Sequence, residues 1–401
     1  MKEAELKIAV IGSRNLPGDY GGVETACENL YTRLSQKGLK ILAYCRSMDY
    51  SIKKQEYMGV HVFSFPVPNI AGISTFLHCF IASILASFSD ANIIHFHAQG
   101  PALFSIIPKI LAPAKKVGFT CHGLDWRRDR WSWPAKKILQ LGEIISAMNT
   151  DFRIMVSREL RTYYQDIYGV SSICINNGVI PAQKVELSQL ALQFKLEKYK
   201  YFLFVGRLVP EKSLHLLIQA YNQINTPVKL VIVGDSPETP EYVNYLKHLS
   251  QDNPNIIFTS YLRGNQKAEV YSNALVYVSA STLEGHPISV LEAMAYSLPI
   301  LVSDIPPHQE ILDRYTKNAL PTFKVNDIED CRRALLNTCE MPLHELIKIG
   351  QQSYDIVMKH FNWEKITNAT KDIYLDTISS PQAQKEATVN KDKKEMAELQ
   401  L

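Results

Sequence analysis

Short runs of β-branched and aromatic residues alternate with stretches of helical period along nearly the whole chain, and this alternation constrains the fold more than any other feature. The first series of strand candidates is residues 7–11, 39–44, 60–64, 92–96, 116–120, 152–156 and 172–176. The second is 201–205, 228–233, 255–258, 275–279 and 299–302. Repeats of strand, helix and strand build parallel sheets covered by helices on both faces. A length of 401 residues exceeds what one hydrophobic core usually fills, so two domains are expected. The polar stretch 181–200 separates the two series and is predicted to link them. The expected fold class is therefore α/β, two tandem Rossmann-like domains covering 1–180 and 181–360, with a ligand cleft between the carboxyl ends of their sheets. A helical stretch over 361–379 follows. The remaining 380–401 is rich in Lys, Glu and Gln, holds few apolar residues, and is predicted to be disordered.

The net charge of +3 is too small to argue for nucleic acid, but it is unevenly spread. Residues 1–180 hold 20 Lys and Arg against 14 Asp and Glu, a surplus of six positive charges, and the remainder of the chain is net negative by three. A basic first half fits either an anionic partner such as a phosphorylated lipid or acidic glycan, or an ordinary solvated surface. The seven cysteines are scattered, mostly in apolar runs, without Cys-x-x-Cys or a zinc-like Cys/His spacing, and read as reduced core residues. A short charged lead passes directly into the strand-like Lys7–Ile11, so no signal peptide is expected and a cytoplasmic location is predicted. Residues 70–88 approach transmembrane length, but Ser74, Thr75, His78, Ser83 and Ser87 interrupt them, and a helix buried between sheet and surface is the preferred reading.

The segment with the most chemistry is Glu284-Gly285-His286-Pro287-Ile288-Ser289-Val290-Leu291-Glu292, directly after a strand candidate. Pro287 suits the first turn of a helix, and Gly285 lets backbone approach a ligand. The N–H groups of Ile288, Ser289 and Val290 would leave the helix start together with the positive end of its dipole, which is a diphosphate site. Glu292 lies one turn deeper on the face of Ser289, where a carboxylate accepts hydrogen bonds from a ribose diol. Glu284, in the preceding loop, can reach sugar hydroxyls. Upstream, Gly206-Arg207-Leu208-Val209-Pro210-Glu211-Lys212 follows another strand, and its two cations are spaced to hold a leaving diphosphate.

The first strand is followed by a long turn ending Tyr20-Gly21-Gly22. It lacks Gly-x-Gly-x-x-Gly, which disfavours a nicotinamide dehydrogenase. Gly21 and Gly22 begin a helix whose start a phosphate or an acceptor could approach, though a long turn also needs glycine for its shape. Cys121-His122-Gly123-Leu124-Asp125-Trp126 follows the strand 116–120, and places His122 at a strand end with a carboxylate and an indole beside it. No Asp-x-Asp occurs, so the carboxylate pair that usually binds a metal-nucleotide complex is missing and metal independence is expected.

Taken with its flanks, Glu284 through Glu292 followed by Ala-Met-Ala and Leu-Pro-Ile-Leu-Val-Ser-Asp resembles retaining glycosyltransferases of family 4, which have the two-domain GT-B fold. Gly206, Arg207 and Lys212 match the Gly-Arg and Lys of that family. The stretch Gly-Ser-Arg-x-x-Pro-x-x-Tyr-Gly-Gly-x-Glu-Thr resembles a subgroup containing bacterial surface-polysaccharide rhamnosyltransferases. Many of those relatives carry Gly-x-Glu-Trp where this chain has a shorter carboxylate at Asp125 before Trp126. The resemblance covers about residues 7–378 and implies that the final helix crosses back to the first domain. It also implies a metal-independent hexosyltransferase needing no cofactor, with His122, Glu284, Arg207 and Lys212 at the reacting groups. Gly21, Gly22, Gly206 and the 284–292 segment would hold the nucleotide sugar, possible donors including dTDP-rhamnose. Tyr20, Asp125 and Trp126 would select sugar or acceptor, a glycan or lipid-linked glycan, with no nucleic-acid partner. A peripheral location at the inner face of the plasma membrane, through the basic first domain, is compatible with that acceptor. An epimerase or hydrolase acting on the donor alone, or a sugar-binding relative without catalysis, remain as alternatives.

Overall fold

The computed structural model describes residues 6–18, 21–47, 49, 51–70, 73–315 and 319–379. Tyr20 and the tail 380–401 therefore lie outside the described residues. The chain divides into two compact units. The first comprises the residues up to Arg127, Trp131–Asn176, and the segment from Trp363 onward; the second comprises Arg128–Arg130 and Asn177–Asn362.

The first unit holds β1 (Lys7–Ile11), β2 (Lys40–Ser47), β3 (Lys53–Tyr57), β4 (Val60–Pro66), β5 (Ile93–His97), β6 (Lys116–Cys121), β7 (Phe152–Met155) and β8 (Ile173–Cys174). They form one sheet in the order β3-β4-β2-β1-β5-β6-β7-β8, parallel except where β3 meets β4. The second unit holds β9 (Tyr201–Val205), β10 (Lys229–Val233), β11 (Ile256–Phe258), β12 (Val276–Ser279) and β13 (Ile300–Val302), all parallel, in the order β11-β10-β9-β12-β13. Every residue of β5, β6, β9 and β12 is buried, because helices cover both faces of these strands. In each sheet the strand order turns back at the first strand, β1 in one unit and β9 in the other. At such a switch point the loops leaving the carboxyl ends diverge and open a crevice.

The Gly22–Gln36 helix lies on one face of the first sheet, where the Trp363–Ser379 helix packs on it, as the usual right-handed crossover requires. The Ser74–Phe88, Ile106–Leu111, Trp133–Asn149 and Arg158–Tyr168 helices cover the other face.

Three sequence expectations need correction. β3, Lys-Lys-Gln-Glu-Tyr, was not predicted; it is an exposed antiparallel edge strand whose charges suit an edge and hide its extended conformation. Residues 181–200 are no linker: Leu190 and Leu196 are buried in the second core, and Glu269 accepts from the Ser188 N–H at 2.6 Å. The expected 70–88 helix spans Ser74–Phe88 but is not buried on its apolar side, since Phe80, Leu85 and Phe88 are exposed.

Gly142 lies within the Trp133–Asn149 helix, where a Cβ would come 2.3 Å from the Gln99 carbonyl oxygen. Alanine would gain about 1 kcal/mol of helix propensity there, and the backbone clash outweighs it. Gly142→Ala is expected to destabilise the first unit by about 1–3 kcal/mol, read from its denaturant midpoint.

Candidate active site

In the second unit the chemistry gathers where β9 and β12 end, on either side of the switch. Gly206 follows β9 and its N–H bonds the Val233 carbonyl at 3.0 Å. Its own carbonyl oxygen lies 1.8 Å from where a Cβ on Gly234 would sit, and Gly234 has φ 140°, so only glycine lets the β9 and β10 ends approach this closely. The Pro210–Lys212 turn is tied to the loop after β12 by the Thr282 N–H donating to the Glu211 carbonyl at 2.9 Å.

That tie brings Lys212 to Glu284. Its ammonium donates to Glu284 Oε1 at 2.5 Å, and Ser281 Oγ donates to the same oxygen at 2.8 Å. Burial works to raise the Glu284 pKa, but the charge and hydrogen bond of Lys212, with smaller help from His308 and Ser281, hold it below its ordinary value. Glu284 therefore stays ionised in a nearly dry site. His308 is fully buried; its Nδ1 donates to the Ser303 carbonyl at 2.9 Å, and burial pushes its pKa down to about 4.

The Ile288–Ala295 helix starts beside this pair. Pro287 stands at its cap position with no side-chain cap, so the first-turn N–H groups of Ile288, Ser289 and Val290 have no acceptor within the helix. The Tyr277 hydroxyl donates to Ser289 Oγ at 2.9 Å, with the Val205 carbonyl 3.3 Å away as a second acceptor, which fixes the helix start against the end of β9. Deeper by one turn, Glu292 accepts from Lys267 Nζ at 2.7 Å and from the Tyr271 hydroxyl at 3.1 Å. The His286 ring is buried and lies against Phe361, 5.2 Å between centroids, while its carbonyl accepts from Asn177 Nδ2 at 2.9 Å. Burial pushes the His286 pKa down to about 3.

Arg207 stands among charges. Arg128 Nη1 donates to Glu211 Oε1 at 3.0 Å, Arg130 Nη1 to Glu238 Oε2 at 2.5 Å, and Arg207 Nη1 lies 3.7 Å from the same Glu238 oxygen. Burial and then the neighbouring charges of Arg128 and Arg130 lower the Arg207 pKa. The three guanidiniums thus stand with Glu211 and Glu238 in one charged cluster.

The first unit carries its own polar chain at its switch point. His122, after β6, places Nε2 2.9 Å from His97 Nδ1. His97 Nε2 is 2.5 Å from the Tyr31 hydroxyl, and His95 Nδ1 is 2.6 Å from the Tyr374 hydroxyl. His95 Nε2 meets Thr120 Oγ1 at 2.8 Å. Burial lowers all three imidazole pKa values, to about 3 for His95, to about 4 for His122, and well down for His97, so each ring is neutral with one proton. The two shortest contacts are both tyrosine hydroxyl to imidazole, and a tyrosine hydroxyl has one proton to give. If Tyr31 donates to His97 Nε2 and Tyr374 to His95 Nδ1, every acceptor is satisfied once. With His97 as the donor instead, the Tyr31 proton must turn to His95 Nδ1 at 3.1 Å or to the Tyr374 hydroxyl at 3.4 Å, both longer contacts, so the distances favour the first arrangement. The first arrangement puts the His97 proton on Nδ1, where it donates to His122 Nε2, and leaves the His122 proton on Nδ1.

Other expected residues of the first unit are placed as follows. Gly21 caps the Gly22–Gln36 helix with φ 101°, and Gly22 is exposed at its first turn. The Asp125 N–H donates to Gln99 Oε1 at 2.9 Å. The Trp126 indole N–H is committed to buried Glu143 at 2.8 Å, which also accepts from Tyr163, Tyr168 and Gln99, so this indole anchors its loop. The structure thus brings Lys212, Glu284, Ser289 and Glu292 together in the second unit and sets His122, Gly21, Gly22, Asp125 and Trp126 in the first. Sequence reading missed Tyr31, His95, His97, Lys267, Tyr271 and His308. One signal was available: Ile-Ile-His-Phe-His puts polar rings two apart in an otherwise apolar strand. Lys267 and Tyr271 sit one turn apart on a helix, and nothing local links them to Glu292.

Comparison with known proteins adds three findings. Residues 190–352 match the family described as glycosyl transferases group 1, and residues 6–178 match a domain of unknown function, DUF1972. The UDP-Gal:alpha-D-GlcNAc-diphosphoundecaprenol alpha-1,3-galactosyltransferase of Escherichia coli is 27% identical over 307 residues, 72% of this chain and 76% of its own length. Sucrose-phosphate synthase from Thermosynechococcus elongatus superposes with a TM-score of 0.81 at 18% identity, covering 93% of this chain and 99% of that one. Anabaena HepE in complex with UDP and glucose does so with a TM-score of 0.74 at 15% identity, covering 92% and 99%. The fold is GT-B, two Rossmann-like domains.

Two outcomes are expected from this geometry. Lys212→Met strands a nearly buried carboxylate and is expected to cost about 2–3 kcal/mol at pH 7 by denaturant unfolding. Because the folded pKa of Glu284 lies below its ordinary 4.5, the stability it contributes is complete above that value and is lost as pH falls through the lower folded value. The gap between wild type and variant should therefore close in acid. In ¹⁵N NMR, His122 is expected as the Nδ1–H tautomer, and Tyr31→Phe, which removes the donor to His97 Nε2, should shift population toward Nε2–H.

Proposed function

We propose that this glycosyltransferase moves a sugar from a pyrimidine nucleoside diphosphate donor to a hydroxyl of a lipid-linked glycan, with retention at the anomeric carbon and without a metal ion, in the synthesis of surface polysaccharide. The observation that carries the reading is the meeting of Lys212, Glu284 and the open start of the Ile288–Ala295 helix at the switch point of the second sheet. The N–H groups of Ile288, Ser289 and Val290 with Lys212 and Arg207 would hold the diphosphate, and their charge offsets what develops on it as the bond to the anomeric carbon breaks. That role is the one a metal ion would otherwise fill. Glu292, oriented by Lys267 and Tyr271, keeps lone pairs free for a ribose diol.

In the reaction, the bond from the anomeric carbon to the diphosphate oxygen breaks and the acceptor oxygen bonds to that carbon on the same face. The acceptor proton passes to the departing phosphate oxygen, so no protein base is needed. Glu284 would accept from a hydroxyl of the transferred sugar. His122, with its proton on Nδ1, suits donation to a sugar or acceptor oxygen. Gly21, beside the Glu24 carboxylate, and Gly22 would face donor or acceptor from the first unit; Asp125 and Tyr20 are assigned to sugar or acceptor choice, and Trp126 anchors the loop of Asp125 through Glu143.

The galactosyltransferase relative acts with UDP-Gal on a diphosphoundecaprenol-linked sugar, and HepE was solved with UDP; both support a pyrimidine donor and a lipid-linked acceptor. The motif ending Tyr20-Gly21-Gly22 resembles rhamnosyltransferases and keeps dTDP-rhamnose beside UDP sugars as the donor.

Thermal-shift measurement with UDP-galactose, UDP-glucose, dTDP-rhamnose and GDP-mannose tests the donor. One pyrimidine sugar is expected to raise Tm by mass action more than the others, and GDP-mannose least. With that donor and a lipid-diphosphate glycan, Lys212→Ala and Glu284→Ala are each expected to lower kcat/KM by about 10²–10³-fold. A chelator should leave turnover unchanged. Unchanged turnover in both variants would sink the reading, as would free sugar released at full rate without acceptor.

A further inference from the structure

Two helices of the first unit are built inside out. The Ser74–Phe88 helix turns Ser74, His78, Cys79, Ala82, Ser83, Ala86 and Ser87 toward the protein, while Phe80, Leu85 and Phe88 face outward. The Trp133–Asn149 helix buries Gly142, Glu143, Ser146 and Ala147 together with Leu139, and exposes Trp133, Leu141 and Met148. A helix on a water-facing surface does the reverse, with its large apolar residues inward and polar ones outward. Between the two lies the Ile106–Leu111 helix, which packs against both and leaves Ile110 exposed. Phe88 is 75% exposed, Trp133 72% and Ile110 69%, so these side chains are not grazing the surface but standing on it. The three helices share one face of the sheet, and together they make a contiguous apolar layer of the kind a water-facing surface does not carry.

The outward charges carried on these three helices have one sign. Glu143 is the one carboxylate on the three helices, and it is turned inward to its four donors. Lys109, Lys136 and Lys137 are the cations, and Lys137 Nζ stands 5.8 Å from the Trp133 ring centroid, an ammonium and an indole side by side. Lys109 also serves Asp151. Among the described residues no helix is long and apolar enough to cross a membrane. Apolar side chains flanked by lysine and tryptophan, on helices that do not span, match the boundary between lipid acyl chains and headgroups.

We infer that the face made by the Ser74–Phe88, Ile106–Leu111 and Trp133–Asn149 helices docks on the surface of an anionic lipid bilayer. Phe88, Ile110 and Trp133 enter the acyl boundary, and Lys136 and Lys137 meet lipid phosphates. The carboxylates at the rim, Asp90 and Asp151, are paired with Lys7 and Lys109, and the helices themselves turn lysines and no carboxylate outward, a surplus of cations that suits lipid phosphates. The inference does not depend on the donor reading; it gains a purpose from a lipid-linked acceptor, and it stands on the exposed face alone.

Sedimentation of the full chain with vesicles tests it, comparing phosphatidylglycerol mixed with phosphatidylethanolamine against phosphatidylcholine alone. The chain is expected to bind the anionic vesicles more tightly. The double variant Phe88→Ser, Ile110→Ser should lower the partition coefficient by about tenfold or more. Lys136→Glu with Lys137→Glu should remove the preference for phosphatidylglycerol. Leu192→Ser, at an 86% exposed leucine of the second unit, should change nothing. All these side chains are on the surface, and equal melting temperatures confirm that the variants fold. Absence of binding to either vesicle overturns the inference, as does equal binding by the Phe88→Ser, Ile110→Ser variant. A solution dimer abolished by that variant also overturns it, in favour of self-association. Vesicle binding needs no donor, and the donor thermal shift needs no vesicle, so either reading can fail without the other.

Discussion

A parallel sheet covered on both faces has water only at its ends, and both units of this chain inherit their chemistry from that constraint. Strands such as β5 and β9 bury every residue, so nothing along their length can meet a substrate. Polar side chains with work to do must stand on the loops that leave the strand ends. The strand order then selects among those loops: at β1 and at β9 neighbouring connections depart to opposite faces. His122 and the Gly12 backbone meet His97 at one switch, and Lys212, Glu284 and Ser289 lie around the other. The ion pair is therefore an outcome of topology. Lys212 and Glu284 are 72 residues apart in the chain and meet because β9 and β12 are neighbours.

The same constraint decides what could be read from the sequence. A strand buried on both faces is a continuous apolar run, so the predicted strands agree with β1, β2, β4 and β5 through β13 to within a few residues. β3 escaped because an edge strand facing water is under no such demand, and Lys-Lys-Gln-Glu-Tyr reads as a loop. The 181–200 stretch misled for a related reason. Its polar residues face solvent, while Leu190 and Leu196 alone anchor it, and two leucines in twenty residues make no period. In the site, residues carried by a local motif were legible, because helix geometry fixes Ser289 and Glu292 one turn apart. Residues that act through another segment were not. Lys267 reaches Glu292 across 25 positions and Tyr374 reaches His95 across 279, and no spacing rule spans such distances.

The two units settle their buried polar groups differently. In the second, the cost of a dry carboxylate at Glu284 is offset by a full positive charge, and the result is an anionic group held ready at neutral pH. In the first, Glu143 is surrounded by neutral donors, and the histidines are neutral rings joined by tyrosine hydroxyls. A neutral chain of this kind stores no charge, but it transmits direction. With Tyr31 as the donor, each proton position follows from the one before it, from Tyr31 through His97 to His122, so residues remote from any ligand bias whether His122 gives or accepts a hydrogen bond.

The inside-out helices show how packing against a sheet and hydropathy can part company. Ser83, Ser87, Ala82 and Ala86 let the Ser74–Phe88 backbone lie close to the sheet, and Ser83 and Ser87 satisfy their hydroxyls on the carbonyls of Cys79 and Ser83, one turn back. A close approach leaves no room for phenylalanine on that side, so the large residues must face away. Composition records only that the helix is apolar, and from that a buried helix is the natural expectation. Which residues lie inward is a question of direction, and direction makes the outer face of this helix apolar. A water-facing surface would have selected against Phe80, Leu85 and Phe88 there. With exposed Ile110 and Trp133 on the neighbouring helices, the outward apolar face is the consequence of small residues packing inward.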